Sequence, residues 1–314
     1  MRLVAGAYPC YFPEPDATAE FLAALGADDR FGALELPIRG LDDPLTWPDG
    51  APDDWAAVVT QIPGTMGMMA RDPQVGLAST AIRGRTDAIE FARHTFERVN
   101  ALKDAGHPVI AVELHSAPRG WCEPTALAES LSHIGKWAWG DTWLVLEHCD
   151  APRPGIEPQK GFLELAEEID VITRLRDTLD TRLGITINWA RSVIETRSVH
   201  AGLAHVVQAR EAGVLAGMMF SSVSPEETSF GHPWIDAHLA PVGVPGAPSS
   251  SLLTPELLDD CLDALPTDLL YLGAKVGLEH IDSPKRRAAA WSAVVDLVRA
   301  RETGAAEAAP VRDQ

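Results

Sequence analysis

The amino-acid sequence predicts a single-domain α/β protein with a (β/α)8 barrel, the TIM-barrel architecture. Short, almost continuously apolar runs alternate with longer amphipathic runs, which is typical of a parallel sheet covered by helices. Eight such apolar runs favour closure into a barrel over an open sheet. The length of 314 residues suits one barrel with insertions. Because functional side chains of such barrels come from the C-terminal strand ends, we expect the site there.

In the first part of the chain, strands are predicted over residues 4–8, 33–37, 57–61 and 109–114. A helix is predicted over 17–25, with Asp16 as its N-cap. The stretch 63–76, rich in glycine and methionine, is interpreted as a loop. A long helix follows over 80–105, where Ile82, Ile89 and Phe96 recur near helical spacing.

In the second part, strands are predicted over 143–147, 184–188, 214–221 and 269–277, and helices over 162–179, 198–212 and 284–301. The segment 222–253 contains a stretch rich in proline, glycine and serine, which indicates an insertion between strand 7 and its helix. The barrel domain is therefore expected to cover 1–302. Residues 303–314 are predicted to form a disordered tail.

Composition excludes several classes of partner. The formal net charge of −19 argues against nucleic acid and against anionic membrane surfaces. No apolar run is long enough to span a bilayer, and the first residues indicate a strand rather than a signal peptide. The four cysteines form no CxxC pair, which favours reduced thiols. We expect a cytoplasmic protein with a small-molecule partner, and homo-oligomerisation stays open.

Three predicted strands end in a carboxylate: strand 2 at Glu35, strand 4 at Glu113 and strand 5 at Glu147. A buried carboxylate is costly unless it is paired or used, so their convergence on one mouth indicates a site. Glu147 is predicted to be a general base whose pKa is raised by desolvation; the alternative is a structural ion pair. His115 shares a strand face with Glu113, whereas His148 faces away from Glu147 and is interpreted as either functional or structural.

Two cationic side chains fall near the same strand ends. Lys275 lies within an apolar strand, which favours pairing with a mouth carboxylate over a reactive amine with a lowered pKa. Arg191 follows strand 6 and could clamp a carboxylate, phosphate or sulfonate; its alternative is a surface ion pair with Glu195. The predicted catalytic residues are Glu147, Glu113, Lys275 and His115. The predicted substrate-binding residues are Glu35, Gln61, Asn188, Trp189, Arg191, His232 and Trp234.

Two roles are considered for the Trp189 side chain. It could stack on a sugar ring, but packing between a helix and the barrel is favoured. His232 and Trp234 belong to a long stretch, 224–238, that is interpreted as a loop over the mouth.

The strand ends resemble the xylose isomerase-like TIM-barrel superfamily, which includes tagatose/psicose 3-epimerases, hydroxypyruvate isomerase and inosose dehydratase. The resemblance implies a divalent metal held by a Glu after strand 5, an Asp after strand 6, a His on strand 7 and a Glu on strand 8. Glu147 and Glu279 resemble the first and last of these. However, Asn188 occupies the position of the Asp, Arg191 occupies the position of a nearby His, and residues 217–222, where the other His is expected, contain none. No metal or other cofactor is therefore expected, with Glu147 and Glu279 as ligands if a divalent metal is present.

The resemblance implies an enzyme of an uncharacterised branch, an isomerase, epimerase or lyase that acts on a sugar or sugar acid by proton abstraction next to a carbonyl. Without a metal, Lys275, Arg191 or His115 would stabilise the enediolate. One alternative is a glycoside-cleaving enzyme that uses paired carboxylates among Glu35, Glu113 and Glu147. The other is a non-catalytic carbohydrate-binding relative.

Overall fold

The computed structural model describes residues 3–278 and 280–307. Eight parallel strands close into a barrel in chain order, with β8 pairing back to β1. This confirms the predicted (β/α)8 fold class. The strands are β1 Leu3–Gly6, β2 Phe31–Pro37, β3 Ala56–Thr60, β4 Val109–Leu114, β5 Trp143–Glu147, β6 Leu183–Asn188, β7 Leu215–Phe220 and β8 Tyr271–Lys275.

The described helices cover the outside of the barrel. They are α1 Pro15–Gly26, α2 Ile62–Arg71, α3 Ile82–Asp104, α4 Pro124–Ile134, α5 Leu165–Leu175, α6 Trp189–Thr196, α7 Ala201–Glu211, α8 Pro255–Ala264 and α9 Pro284–Glu307. None of those within the described ranges is long and apolar enough to cross a membrane.

Several helices differ from the sequence prediction at their ends. The prediction of Asp16 as an N-cap is wrong, because α1 begins at Pro15, a residue suited to a helix start, and Asp16 lies in the first turn. The stretch predicted as a loop over 63–76 begins with α2, where Pro63 occupies the first turn and Ile62 and Met68 are buried. Its glycines lowered the predicted helix propensity, but proline suits a helix start and burial of one face outweighs propensity. The last helix continues to Glu307, so residues 303–307 of the predicted tail are helical, and 308–314 lie outside the described residues.

The inward faces of the strands change from apolar to polar along the barrel axis. Val4, Ala33, Val58, Ala111 and Val145 form an apolar cluster inside the lower barrel, joined by Ala216, Met219 and Tyr271. Because side chains two residues apart share a strand face, these same strands next place Glu35, Glu113 and Glu147 inward. The apolar layer below therefore leaves the C-terminal mouth as the approach to the carboxylates.

The connection between β7 and α8, residues 221–254, reaches the C-terminal end of the barrel. Backbone hydrogen bonds join Ser222 and Leu239 in both directions, and the Gly277 N–H donates to the His238 carbonyl at 2.8 Å. Trp234 and His238 in this connection have φ of 64° and 54°, the left-handed region that side-chain-bearing residues seldom adopt. The connection is thus held at defined points while it carries local backbone strain.

Candidate active site

A buried chain of ion pairs crosses the mouth of the barrel. The Lys275 ammonium lies 2.5 Å from Oε1 of Glu35 and 3.2 Å from Oε1 of Glu147. The other oxygen of Glu147 lies 2.5 Å from a terminal nitrogen of Arg191, which sits in the first turn of α6. All four side chains are buried. The pairing predicted for Lys275 is confirmed, whereas the alternative considered for Arg191, a surface ion pair with Glu195, is wrong.

The chain of ion pairs continues into the β7–α8 connection through Asp236. Arg191 Nε donates to Oδ2 of Asp236 at 3.0 Å, and Lys160 from the β5–α5 connection donates to the same oxygen at 2.7 Å. The His238 ring lies 3.3 Å from Oδ1. We call the six linked charged residues the mouth network: Glu35, Lys275, Glu147, Arg191, Asp236 and Lys160.

The electrostatics of Glu147 differ from the sequence prediction. Burial by itself would raise its pKa, as predicted, but Arg191 and Lys275, with a hydrogen bond from His115, hold the pKa well below its ordinary value. The predicted rise is therefore wrong, because the sequence could not show that two cations contact this carboxylate. Glu147 is ionised at neutral pH. Burial would lower the pKa of Lys275, but the carboxylates of Glu147 and Glu35 raise it well above its ordinary value, so the amine stays protonated.

Glu113 also lies inside the barrel, and its pKa shifts in the opposite direction from that of Glu147. Burial, together with the charges of Glu147 and Glu35, raises the pKa of Glu113 well above its ordinary value, which favours its protonated form. The Tyr271 hydroxyl donates to Oε1 of Glu113 at 2.9 Å. Burial also raises the pKa of Glu35, while Lys275 and a hydrogen bond from Glu113 oppose that rise. Glu113 therefore supports Glu35 as a neutral hydrogen-bond donor.

His115 extends from the end of β4 to Glu147. Its Nε2 lies 3.1 Å from Oε2 of Glu147, and burial lowers the pKa of His115 to about 4. The ring is thus neutral, and facing a carboxylate assigns the proton to Nε2. Nδ1 has no hydrogen-bond partner among the described residues and remains an acceptor.

Asn188 is also at the mouth, at the end of β6. Its Oδ1 accepts from the Ser221 hydroxyl at 2.8 Å, while its buried Nδ2 has no partner in the described part of the chain. A buried amide donor without a partner is costly unless something accepts its hydrogen bond. Asn188 therefore supplies an available donor.

Other predicted binding residues are not brought into the mouth network. Gln61 donates to the Thr95 hydroxyl of α3 at 2.7 Å, and the Trp189 ring packs against Gly202 of α7. Trp189 thus has its predicted packing role, because the first residue of α6 faces the next helix rather than the mouth. His232 is exposed and contacts the adjacent Pro233 carbonyl. Trp234 is stacked under Arg197, whose guanidinium carbon lies 4.5 Å from the ring centroid.

Glu279, the other predicted metal ligand, lies outside the described residues.

A second buried ionic cluster lies on the opposite face of the β5 terminus. His148 contacts Glu168 of α5 at 2.7 Å through Nδ1 and Glu195 of α6 at 3.0 Å through Nε2. Burial disfavours its imidazolium, but the two carboxylates outweigh burial and raise the pKa of His148 to about 10. This outer triad of Glu168, His148 and Glu195 ties two helices to the strand end that carries Glu147, which supports the structural reading of His148.

Comparison with known proteins identifies the family. The family model described as "Domain of unknown function (DUF4862)" matches residues 4–289. The chain belongs to the DUF4862 family. A relative, the uncharacterized protein STM3670 of Salmonella typhimurium, is 34% identical over 289 residues, which covers 87% of this chain and 88% of the relative.

Solved structures of low sequence identity share the fold of this DUF4862 protein. The IOLI protein, solved with a zinc atom, has a TM-score of 0.59 at 13% identity and covers 96% of this chain and 99% of its own. L-ribulose 3-epimerase has a TM-score of 0.57 at 13% identity and covers 99% of both chains. D-psicose 3-epimerase, solved in the presence of D-fructose, has a TM-score of 0.53 at 11% identity and covers 95% of this chain and 98% of its own. The xylose isomerase-like TIM-barrel fold is thereby confirmed.

The described residues at the mouth of the DUF4862 chain do not fit a divalent metal. Both oxygens of Glu147 already face cations, the ammonium of Lys275 and the guanidinium of Arg191. A dication placed beside Glu147 would meet these two positive charges, and the end of β6 offers it the amide of Asn188 where a carboxylate would be the better ligand.

One other described group has metal-ligand spacing: His148, Glu195 and His205. Both ring nitrogens of His148 face carboxylates, and its raised pKa keeps the ring protonated, whereas a metal requires a neutral imidazole. Arg153 also pairs with Glu195. This group could take a metal only if His148 lost its proton.

Asp236 and Tyr271 contact predicted site residues, and Lys160 contacts Asp236, but none of the three was singled out from the sequence. Asp236 and Lys160 lie in polar connections, where a charged residue is ordinary and no periodicity marks it. Tyr271 begins an apolar strand, and its position in the sequence indicates a residue of the hydrophobic core. A search for charge complementarity between separate mouth loops is the signal that could have found Asp236 and Lys160.

Proposed function

We propose that this protein is a sugar isomerase, epimerase or lyase that abstracts a proton next to a carbonyl without a resident transition metal. The observation that carries the proposal is the buried Lys275 ammonium, which lies between the carboxylates of Glu35 and Glu147. An ammonium ion and a nearby guanidinium can stabilise the negative charge of an enediolate, which is the largest requirement of such chemistry. The shared fold of L-ribulose 3-epimerase and D-psicose 3-epimerase supports the same reaction class.

Each residue of the mouth has a role in the proposed reaction. A substrate carbonyl oxygen accepts hydrogen bonds from Lys275 and Arg191 and draws these donors from Glu147. The loss of these donors raises the pKa of Glu147, which then removes the proton from the neighbouring carbon. Protonated Glu147 then returns the proton to the neighbouring carbon of the enediolate, while Glu35, on the other side of Lys275, holds the ammonium in place. Asn188 binds a substrate hydroxyl through its free Nδ2.

His115 and Glu113 position the reacting groups. Neutral His115 orients Glu147 through the 3.1 Å hydrogen bond, and protonated Glu113 does the same for Glu35 from below. The proposal includes a cytoplasmic location, which four cysteines that form no disulfide support. Glycoside cleavage is disfavoured because its general acid must be protonated, whereas Glu35 and Glu147 both pair with the Lys275 ammonium.

The experiment is deuterium exchange in D2O. Purified protein is incubated with a panel of aldoses, ketoses and sugar acids, and NMR follows loss of the C–H signal next to the carbonyl. We expect exchange with at least one substrate, and its loss in Lys275→Met. If the protein binds a sugar but exchanges no proton in any panel member, it is a non-catalytic binding protein and the proposal is wrong.

A further inference from the structure

Asp236 occupies a carboxylate-sized subsite whose cations come from other parts of the chain. Lys160 and Arg191 both donate to its Oδ2, at 2.7 and 3.0 Å, and His238 faces its Oδ1 at 3.3 Å. Lys160 belongs to the β5–α5 connection and Arg191 to α6, so both are anchored independently of the connection that carries Asp236. A carboxylate from another molecule would meet the same two cations.

The charges around this position also favour an anion. Arg191 is buried and faces two carboxylates, Glu147 and Asp236. Lys160 also faces Asp236, whereas the buried Asp150 accepts from the backbone N–H of Lys160. If Asp236 leaves, the side chains of Arg191 and Lys160 lose a direct partner, which is unfavourable. A ligand carboxylate can replace that partner, whereas a neutral sugar cannot replace its charge.

The segment around Asp236 carries backbone strain on both sides of this residue. Trp234 and His238, two residues to either side, hold left-handed backbone conformations that persist only while contacts maintain them. In addition, Glu147 and Lys275 are fully buried, so a substrate reaches them only after part of the connection is displaced.

We propose, resting on the proposed function, that the substrate is a sugar acid whose carboxylate binds Lys160 and Arg191 in place of Asp236. Asp236 is an internal substitute for the substrate carboxylate and fills the subsite when no substrate is bound. Exchange of one carboxylate for the other conserves the buried charge. The same exchange releases residues 224–238 and gives the sugar ring access to Lys275 and Glu147.

Asp236→Asn tests the competition directly, with Glu227→Gln as a matched control on an exposed carboxylate of the same connection. Calorimetry would compare D-glucuronate and D-galacturonate with their neutral counterparts, D-glucose and D-galactose. We expect at least one sugar acid to bind D236N about 10-fold or more tightly than wild type, because removing an internal competitor raises the fraction of free subsites. The neutral sugars and the control should show no such gain. Equal gains for acids and neutral sugars would overturn the proposal, and so would tight binding of inorganic phosphate alone.

A measurement on the wild-type protein tests the same proposal even if D236N fails to fold. Saturating D-glucuronate or D-galacturonate should increase amide hydrogen exchange in 224–238, because displaced Asp236 frees the segment. A decrease would show that the segment closes over the ligand as a latch, and absence of binding by both sugar acids would also refute the proposal. Both measurements report binding and not turnover. If a sugar acid binds as expected but none of its C–H protons exchanges, the proposed function is wrong while the proposal about Asp236 stands.

Discussion

Replacement of Glu147 by glutamine probes the centre of the mouth network. The side chain keeps its shape but loses the negative charge that faces Lys275 at 3.2 Å, Arg191 at 2.5 Å and His115 at 3.1 Å. Because all these groups are buried, water cannot replace the lost interaction. We expect the variant to lose both stability and turnover.

The size of each loss follows from the remaining partners. Removal of one partner from a buried ion pair costs about 3–5 kcal/mol. Lys275 still has Glu35 and Arg191 still has Asp236, so the lower end applies, about 3 kcal/mol. For a domain of this size, such a loss lowers the melting temperature by roughly 5 °C. Loss of the base should lower turnover by a factor of at least about 100.

The assay measures melting temperature and deuterium exchange into substrate on the same preparation, at a temperature where both proteins are folded. Glu195→Gln is the matched control, since it removes a buried carboxylate from the outer triad and not from the mouth network. The control should melt earlier while it retains turnover per folded molecule. Wild-type turnover per folded molecule in E147Q would refute the catalytic role and assign Glu147 to structure alone.

Three further predictions address the cation, the outer triad and the metal. Lys275→Met should lower turnover by at least about 100-fold in the same exchange assay, with Lys275→Arg recovering part of it, because a buried positive charge stabilises the enediolate; an active K275M would contradict this. His148 has a folded pKa of about 10, above its ordinary value, so its stabilising contribution with Glu168 and Glu195 is complete below pH about 6.5 and disappears between about 6.5 and 10. Urea unfolding should show wild-type stability decreasing over that range more steeply than that of His148→Gln, and parallel curves would count against the ion triad. Dialysis against a chelator should leave turnover and melting temperature unchanged, whereas about one retained equivalent of Mn, Zn or Co by elemental analysis would reveal a resident metal.

The strand positions were predictable because the relevant information is local. Residues 109–114 and 143–147 are apolar runs with a glutamate at or next to their C-terminal end, and both are strands with these bounds. The positions of Glu35, Glu113 and Glu147 near the C-terminal ends of their strands also predicted that they converge on one mouth of the barrel. By contrast, α2 was missed because its glycines and methionines obscure a pattern that burial of Ile62 and Met68 makes stable.

The sequence by itself determined the barrel, the end of the barrel where polar groups gather, and the pairing of Lys275 with a carboxylate, since alternation and the cost of a buried ammonium are properties of the local chain. Only the tertiary structure decided which charges meet. It joined Arg191 to Glu147 and Asp236 rather than to Glu195, and it lowered the pKa of Glu147, where burial by itself would have raised it. The physical reason is that Coulomb interactions depend on distances of a few ångströms between residues far apart in the chain, and no periodicity in the sequence encodes those distances.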